Sequence, residues 1–592
     1  MNSIKKFKVA IAQIAVDNGV DDNSIEKNRN RLVDSYKLGN EQGCDIVLAP
    51  ELCVSGYAIG DLMNRKDVQQ NVVEAEQLLL DQIEGSHSNK NTALIFGNFS
   101  TIKQLNKMSS STTCENFESL NALQLNDNFL SNYARIFQPG EVRGEAAYAF
   151  KKYLPNWSVF DEVRWFASGK NITKPVDING VMVGVCVCRD IWIESTTREL
   201  VKNGAQIIVV PNASPYANGR HGERIMVVGA YAKKYNIPIV YVNMHSASDE
   251  IIFDGGSFAV DNTGQVLIEM KRFQDDFQIV EVDLSSKPVI PDETMANEEV
   301  DISSKNVDKK FVIDEGYSAC VMGLKEYINT ISDSKAGVVI GLSGGIDSAL
   351  VATLAVDAFG SERVHGVLMP SKHTSNESTI LAENLAKNLG ISYETISIEQ
   401  LHDCASQVFE LEDKESVVSE NVQSRLRGLI LMMLSNSRGW LPLATGNKSE
   451  ISVGYYTLYG DSVGAFAPIK DVYKTQVFEL CKYRNNSTDY KIMNPIPQQI
   501  IDRPPTAELR EGQYDSDSLP VYEVLDAILI AYIDHEKSID EIAKMGYLKT
   551  EVERIVKLVN SMEFKRKQSP IGTRLTRHNF GSGRRIPIST RS

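Results

Sequence analysis

The chain has 592 residues, of which 42% are apolar and 23% charged, with a formal net charge of −15. That length exceeds what one core holds and points to two to four domains, of which two large ones are expected, while the composition argues against a fibrous repeat, a disordered chain and a membrane protein. The acidic balance excludes a general nucleic-acid or anionic-membrane surface, which needs clustered Lys and Arg to displace counterions.

In chain order, the opening "MNSIKKFKVAIAQIAVDN" is read as a first strand, because polar residues interrupt its apolar stretch and no small-residue cleavage site follows. From Phe7 to about Val282, short apolar runs alternate with amphipathic stretches. "KVAIAQIAV", "DIVLAPEL", "TALIFGNF", "VMVGVCVC", "QIIVVPNAS" and "IPIVYVNM" are expected strands; "SIEKNRNRLVDSYKLGNEQG" and "GERIMVVGAYAKKYN" are expected helices. Residues 101–132, rich in Ser and Asn, are expected to be partly loop or hairpin. The segment from Ser285 to Lys310 is polar, acidic and interrupted by proline, and serves as the linker between domains 1–284 and 311–592. Beyond it, a helix around Asp314–Ile331 precedes "AGVVIGL", and a second strand-helix alternation, with "VHGVLMPS" and "WLPLATGN" as strand ends, runs to about Cys481. The remainder is more helical and ends in a basic stretch, and no internal repeat is found. The eight cysteines are scattered, so no disulfide framework is expected and a reducing, cytoplasmic compartment is. Cys186 and Cys188 lack a second pair at matching spacing, so they are not read as zinc ligands.

The stretch Val338–Thr353, "VVIGLSGGIDSALVAT", places a glycine-rich loop between a buried parallel strand and a helix, where backbone N–H groups bind anions. Gly344 and Gly345 allow close approach of phosphate, and Ser343 and Ser348 add hydroxyls. The Walker A pattern is absent, so no lysine holds a transferred γ-phosphate; Asp347 instead could bind Mg²⁺ bridged to phosphates. In the first half, three polar residues stand at strand ends. Glu51 follows "DIVLAP", Lys151 precedes "KYLPNWSVFDEVRWF", and Cys188 ends "VGVCVC". A thiol attacking an amide needs a base and a donor for the oxyanion, roles that glutamate and lysine can fill.

"SGGIDS" resembles the loop of the ATP pyrophosphatase superfamily, which cleaves ATP between the α and β phosphates to adenylate a carbonyl oxygen. "ENVQSRLRGLILMMLSN", "LATGNKSEISVGYYTLYGDSVGAFAPIKDVYKTQV", "RPPTAELREGQYDSDSLPVYEVLD" and "EFKRKQSPIGTRL" narrow the resemblance to the NAD synthetase family over residues 315–590. It implies a Rossmann-like domain with a parallel sheet, in which Gly341, Leu342, Ser343, Gly344, Gly345, Ile346, Asp347, Ser348 and Thr445 bind ATP. It further implies that Asn421, Glu450, Asp461 and Lys565 face deamido-NAD, that Lys474 lies near the phosphates, and that Asp347 and Glu450 hold Mg²⁺. Thr506 stands where that family usually has Ser and keeps the hydroxyl.

"PELCVSGY", "KKYLPNWSVFDEVRWF", "CRDIW" and "PNASPY" resemble the nitrilase (carbon–nitrogen hydrolase) family over about residues 7–283, which implies an α-β-β-α sandwich. By motif position Cys188 is the nucleophile, Glu51 the base and Lys151 the oxyanion-stabilising lysine, with Glu162 in support; Tyr57, Trp157, Ser214 and Arg220 line a glutamine pocket. Two positions depart from the pattern of NAD synthetases that carry this domain: Arg189 replaces the Glu after the nucleophile, and Trp157 replaces a common Tyr. Together the resemblances imply that ammonia released from glutamine passes by a water-poor route to an acyl-adenylate of deamido-NAD. They imply Mg²⁺ and no redox cofactor, and a homo-oligomer. The competing readings are a nitrilase-type amidase fused to another adenylating enzyme, and a catalytically inactive nucleotide sensor.

Overall fold

The computed structural model of the chain describes residues 6–57, 59–85, 92–108, 117–118, 129–141, 147–291, 311–332, 336–411, 416–506, 508–510 and 512–589. It divides into two compact units, Met1–Ser248 with Ile252–Lys309, and Lys310–Ser592 with Asp249–Ile251. Of the expected linker, residues 285–291 are described and the rest lies outside the described residues.

The first unit is built on two six-stranded sheets. One runs in the order Asp276–Asp283, Lys6–Gln13, Ile46–Leu48, Ala93–Thr101, Leu130–Phe137, Ala147–Phe150, with its three central pairings parallel, parallel and antiparallel from Lys6–Gln13 onward. The other runs Val266–Glu269, Phe258–Val260, Ile239–Asn243, Ile207–Asn212, Val181–Val185, Val176–Ile178. The period of two along each strand decides what each face buries. In Ile207–Asn212, Ile207 and Val209 join Val9, Ile11, Leu48 and Ile95 of the first sheet in one core, while Ile208 and Val210 turn to the other side and meet Leu200, Val227 and Tyr231. Those last residues belong to helices Glu194–Lys202 and Arg220–Tyr235, which cover the outer face of the second sheet. Helices Asp22–Glu41 and Lys66–Glu84 cover the first, where Gly39 lies so close to the strand that an added Cβ would stand 2.4 Å from Val47 Cγ2. The layers are α-β-β-α. Strands buried on both faces explain why "QIIVVPNAS" reads as a continuous apolar run.

The expected strands and helices form, with two differences. "VMVGVCVC" ends as a strand at Val185, because Cys188 begins a one-turn helix, Cys188–Trp192. Within the Ser- and Asn-rich stretch, Ile102–Met108 is helical, its first turn tied by Thr101 Oγ1 accepting from Gln104 N; residues 109–116 and 119–128 lie outside the described residues.

The second unit carries a parallel sheet in the order Ser392–Thr395, Val364–Leu368, Val338–Gly341, Leu441–Pro442. The chain adds strands to one side of Val338–Gly341 and then crosses to its other side. This reversal leaves a crevice at the carboxyl ends of Val338–Gly341 and Leu441–Pro442, where open α/β sheets take ligands. Helix Ile313–Ile331, one residue longer at its start than expected, and helix Ile346–Phe359 lie against each other, and the latter is buried along nearly its whole length. The chain's end is helical, with Tyr522–Leu529 and Lys549–Ser561 sharing one apolar cluster. Among the described residues, no helix is long and apolar enough to cross a membrane.

Candidate functional sites

In the first unit four titratable side chains meet with almost no exposure: Glu51, Lys151, Glu162 and Cys188. Lys151 Nζ lies 2.7 Å from Glu51 Oε1 and 2.7 Å from Glu162 Oε1. An ammonium has three donors, so one remains for another oxygen. Tyr57 O–H donates to Glu162 Oε1 as well. Glu51 is oriented from two further sides, accepting from Asn132 Nδ2 at 2.8 Å and from the Ala213 N–H at 3.0 Å. Cys188 is close enough to Glu51 for that carboxylate to raise its thiol.

Backbone constraints put these groups together. Cys188 has φ 48° and Leu52, next to Glu51, φ 47°, both left-handed and unfavourable for non-glycine residues. The turn carrying Glu51 lies directly on strand Ala93–Thr101, because Gly97 has no side chain: a Cβ there would stand 2.3 Å from Glu51 Cα. Asp190, buried, gathers three backbone donors, Tyr153 N–H at 2.8 Å, Lys152 N–H and Val187 N–H, and so ties the segment after Lys151 to the turn of Cys188. Burial pushes the Asp190 carboxyl up to about 6 against those donors.

The electrostatics are those of charges removed from water. Burial, then the Glu51 carboxylate, raise the Cys188 thiol, and Lys151 works against them. Burial opposes the Lys151 charge, but Glu162 and Glu51 outweigh it and hold the ammonium charged. Burial lifts Glu162 to about 7 in spite of Lys151. A thiol of this kind reacts only as it hands its proton to an adjacent base.

Of the expected glutamine-pocket residues, Tyr57 joins the cluster through Glu162, and Phe160 stands edge-on between the rings of Tyr57 and Trp157, at centroid distances of 6.4 and 6.1 Å. Trp157 is 50% exposed. Ser214 is buried, held by Arg224 Nε at 3.2 Å and by Asn243 Oδ1, which accepts from its N–H. Arg220 pairs with Glu223 at 3.0 Å and lies 4.0 Å over the Trp192 ring.

In the second unit a cavity of about 510 Å³ opens at the switch point of the sheet. Gly341, Leu342, Ser343, Thr445, Asn421, Asp461 and Lys565 line it, together with Arg427 and Thr506. Gly344 (φ +79°) follows Ser343, and a Cβ on it would meet Ser378 O at 2.3 Å, so the loop requires glycine there. Ser343 Oγ lies 3.2 Å from Ser348 Oγ and accepts from the Gly345 N–H, while Ile346 opens the helix. Thr457 donates through Oγ1 to Asn421 Oδ1 and through its N–H to Asp461 Oδ1, each at 2.8 Å. Lys565 Nζ donates to the Gly454 and Tyr456 carbonyls at 2.9 Å.

Asp347, Glu450 and Lys474 form a separate group: Lys474 Nζ donates to Asp347 Oδ2 and, at 3.1 Å, to Glu450 Oε1. Asn447 links it to the loop, donating to Asp347 Oδ1 at 2.8 Å and capping its own helix by accepting from the Glu450 N–H. Burial raises Glu450 to about 8 even beside Lys474. Two hard carboxylate donors converging on one ammonium, and still short of positive charge, would suit a hard divalent cation such as Mg²⁺.

Gly97, Asn132, Asp190, Arg427 and Asn447 escape the sequence reading. Asp190 and Asn447 lie inside quoted motifs, "CRDIW" and "ATGNKSE", and an acid or amide next to a strand end is the signal that could have singled them out. Gly97 and Asn132 act across the sheet, and only the fold pairs them with Glu51.

Residues 8–287 match the family described as carbon-nitrogen hydrolase, and residues 317–569 the family described as NAD synthase. A glutamine-dependent NAD(+) synthetase of Acinetobacter baylyi is 36% identical, covering 99% of this chain and 98% of that protein. One from Thermotoga maritima is 35% identical, covering 99% of each. Among solved structures, a glutamine-dependent NAD+ synthetase from Acinetobacter baumannii in complex with ADP superposes with a TM-score of 0.69 at 34% identity, covering 99% of this chain and 98% of that one. A synthetase structure from Cytophaga hutchinsonii, 18% identical with a TM-score of 0.74 and the same coverage of each chain, shares the fold.

Proposed function

The chain belongs to the glutamine-dependent NAD(+) synthetase family, and on that premise we propose that it makes NAD from deamido-NAD, ATP and glutamine, releasing AMP, pyrophosphate and glutamate. The observation that carries this reading is the pair of sites, a thiol with a base and a lysine in one unit and a phosphate-type loop beside paired carboxylates in the other.

At the first site Cys188 Sγ attacks the side-chain amide carbon of glutamine as Glu51 takes the thiol proton. Lys151, with its remaining donor, holds the oxygen that becomes negative; Glu51 returns the proton to the leaving nitrogen, and ammonia departs. Water, deprotonated by Glu51, then cleaves the thioester and restores the thiol. Glu162 is a positioning residue, holding Lys151 alongside Glu51.

At the second site the nicotinate carboxylate attacks the α-phosphorus of ATP, expelling pyrophosphate, and ammonia attacks the resulting acyl-adenylate to give the amide and AMP. Ser343, Gly344, Gly345 and Ser348 supply N–H and hydroxyl donors to the phosphates, Thr445 lines the nucleotide cavity, and Asn421, Asp461 and Lys565 face the dinucleotide. Asp347 and Glu450 would hold Mg²⁺, with Lys474 beside them. Bound there, the metal would neutralise charge on the departing pyrophosphate. At neutral pH free ammonia is mostly ammonium, which has no lone pair for attack, so a route that delivers ammonia without protonation completes the scheme, in a cytoplasmic homo-oligomer that uses no nucleic acid.

The test is NAD formation with glutamine or ammonium chloride as donor, in wild type and Cys188→Ala. Loss of the glutamine-dependent rate alone supports the reading; failure of wild type with both donors overturns it. Equal activity of the variant with glutamine overturns the role of Cys188. Pyrophosphate release without NAD formation would favour the other adenylating enzyme.

A further inference from the structure

Arg189 follows the nucleophile in a one-turn helix, where successive side chains fan out by about a third of a turn instead of pointing to opposite sides. Its guanidinium carbon lies 4.8 Å from the centre of the Trp157 ring and 6.0 Å from that of Trp192. Among the described residues no carboxylate pairs with it, and burial works against its charge. The neighbouring cation differs: Arg220, on the same Trp192 ring, is already paired with Glu223.

Trp157 also fixes where this cation stands. It continues the aromatic wall of Tyr57 and Phe160, whose inner end, the Tyr57 hydroxyl, donates to Glu162 within the charged cluster. Its outer end is half exposed. Arg189 therefore lies against the exposed end of that wall, one residue along the chain from the buried thiol. A guanidinium placed over an indole ring can still offer two N–H donors to a carboxylate in parallel hydrogen bonds. A half-buried cation without a carboxylate partner is unfavourable, and an incoming anion relieves it.

We propose that Arg189, held by Trp157, is a specificity residue of the first site that binds the carboxylate of the amide substrate. This rests on the glutaminase reading above. It gives the site a preference for amides that carry a carboxylate at the far end of a short chain, and a disfavour for amides that end in a cation alone.

The experiment measures ammonia release by the full chain from glutamine, from glutaramate, which keeps the carboxylate and lacks the amino group, and from 4-aminobutanamide, which keeps the amino group and lacks the carboxylate. Wild type is expected to prefer glutaramate to 4-aminobutanamide in kcat/KM. Arg189→Ala is expected to raise KM for glutamine by about 10- to 100-fold, the effect of one charge-assisted pair, with kcat within a few-fold and the preference erased. Arg189→Lys, which keeps the charge without the fork, should restore part of the preference. An unchanged ratio in Arg189→Ala overturns the proposal, as does a fall in kcat at constant KM. Synthesis of NAD from ammonium chloride by each variant reports that the chain is folded. If wild type releases no ammonia from glutamine, it is the glutaminase reading that fails, a result distinct from an unchanged ratio.

Discussion

The two sites solve opposite problems of preparation. In the first unit Glu51, Lys151 and Glu162 are already paired at 2.7 Å and buried. In the second, Gly341, Leu342, Ser343, Thr445, Asn421, Asp461 and Lys565 of the residues assigned to the substrates line a cavity of about 510 Å³, and Lys474 occupies the two carboxylates. A small amide needs little more than a thiol, a base and one spare donor, so its site can be finished in advance. A site for a dinucleotide and ATP must leave room, and its charges are completed by what binds. Preorganisation thus sits where the reacting charge is small and buried.

Breaking this comparison begins with Lys151. Lys151→Met would leave two buried carboxylates facing each other without a cation, and removing one partner of a buried pair costs about 3–5 kcal/mol. The expected result is loss of glutamine-dependent activity together with a large drop in the Tm of the full chain, seen by calorimetry; an unchanged Tm would show that the pairs are not formed. Next come two glycines, one for each site. Gly97→Ala places a Cβ 2.3 Å from Glu51 Cα, and Gly344→Ala places one 2.3 Å from Ser378 O at a positive φ. Displacing a reacting group by about 1 Å costs on the order of 100-fold in rate. Gly97→Ala should lose that factor with glutamine and nothing with ammonium chloride, whereas Gly344→Ala should lose it with both. A Gly97→Ala enzyme impaired equally with both donors would refute the separation of the two roles.

The same contrast governs what could be read without the fold. Strand ends carry chemistry in α/β folds, so Glu51, Lys151, Cys188 and the Ser343–Asp347 loop stand out from pattern and resemblance alone. The apolar runs give the strands for the same reason that they give the core. What stays hidden is whatever depends on segments far apart in sequence: Asn132 reaching Glu51, Gly97 making space for its turn, and Lys474 reaching both Asp347 and Glu450. The early end of "VMVGVCVC" is hidden too, because alternation of apolar residues cannot reveal that Cys188 takes a left-handed backbone and starts a helical turn.

The smallest effect sharpens the comparison most, because it reads the buried site by its protons. Glu162 has one oxygen shared by Lys151 and Tyr57, while its Oε2 is buried with no hydrogen-bond partner, and burial lifts its carboxyl from 4.5 to about 7. A carboxyl that keeps its proton more readily when folded gives the native state extra protons between those two values. Its contribution is therefore whole below about 4.5 and is lost as pH rises through about 7. Glu162→Gln, which keeps the shape and cannot titrate, removes that dependence. The Tm of wild type, measured relative to the variant, should fall steadily from pH 4.5 to above 7. A difference independent of pH would mean that Glu162 stays ionised against Lys151, and that the site is wetter than its burial implies. Activity with ammonium chloride should follow the same pH course in both proteins, since the carboxyl belongs to the first unit alone.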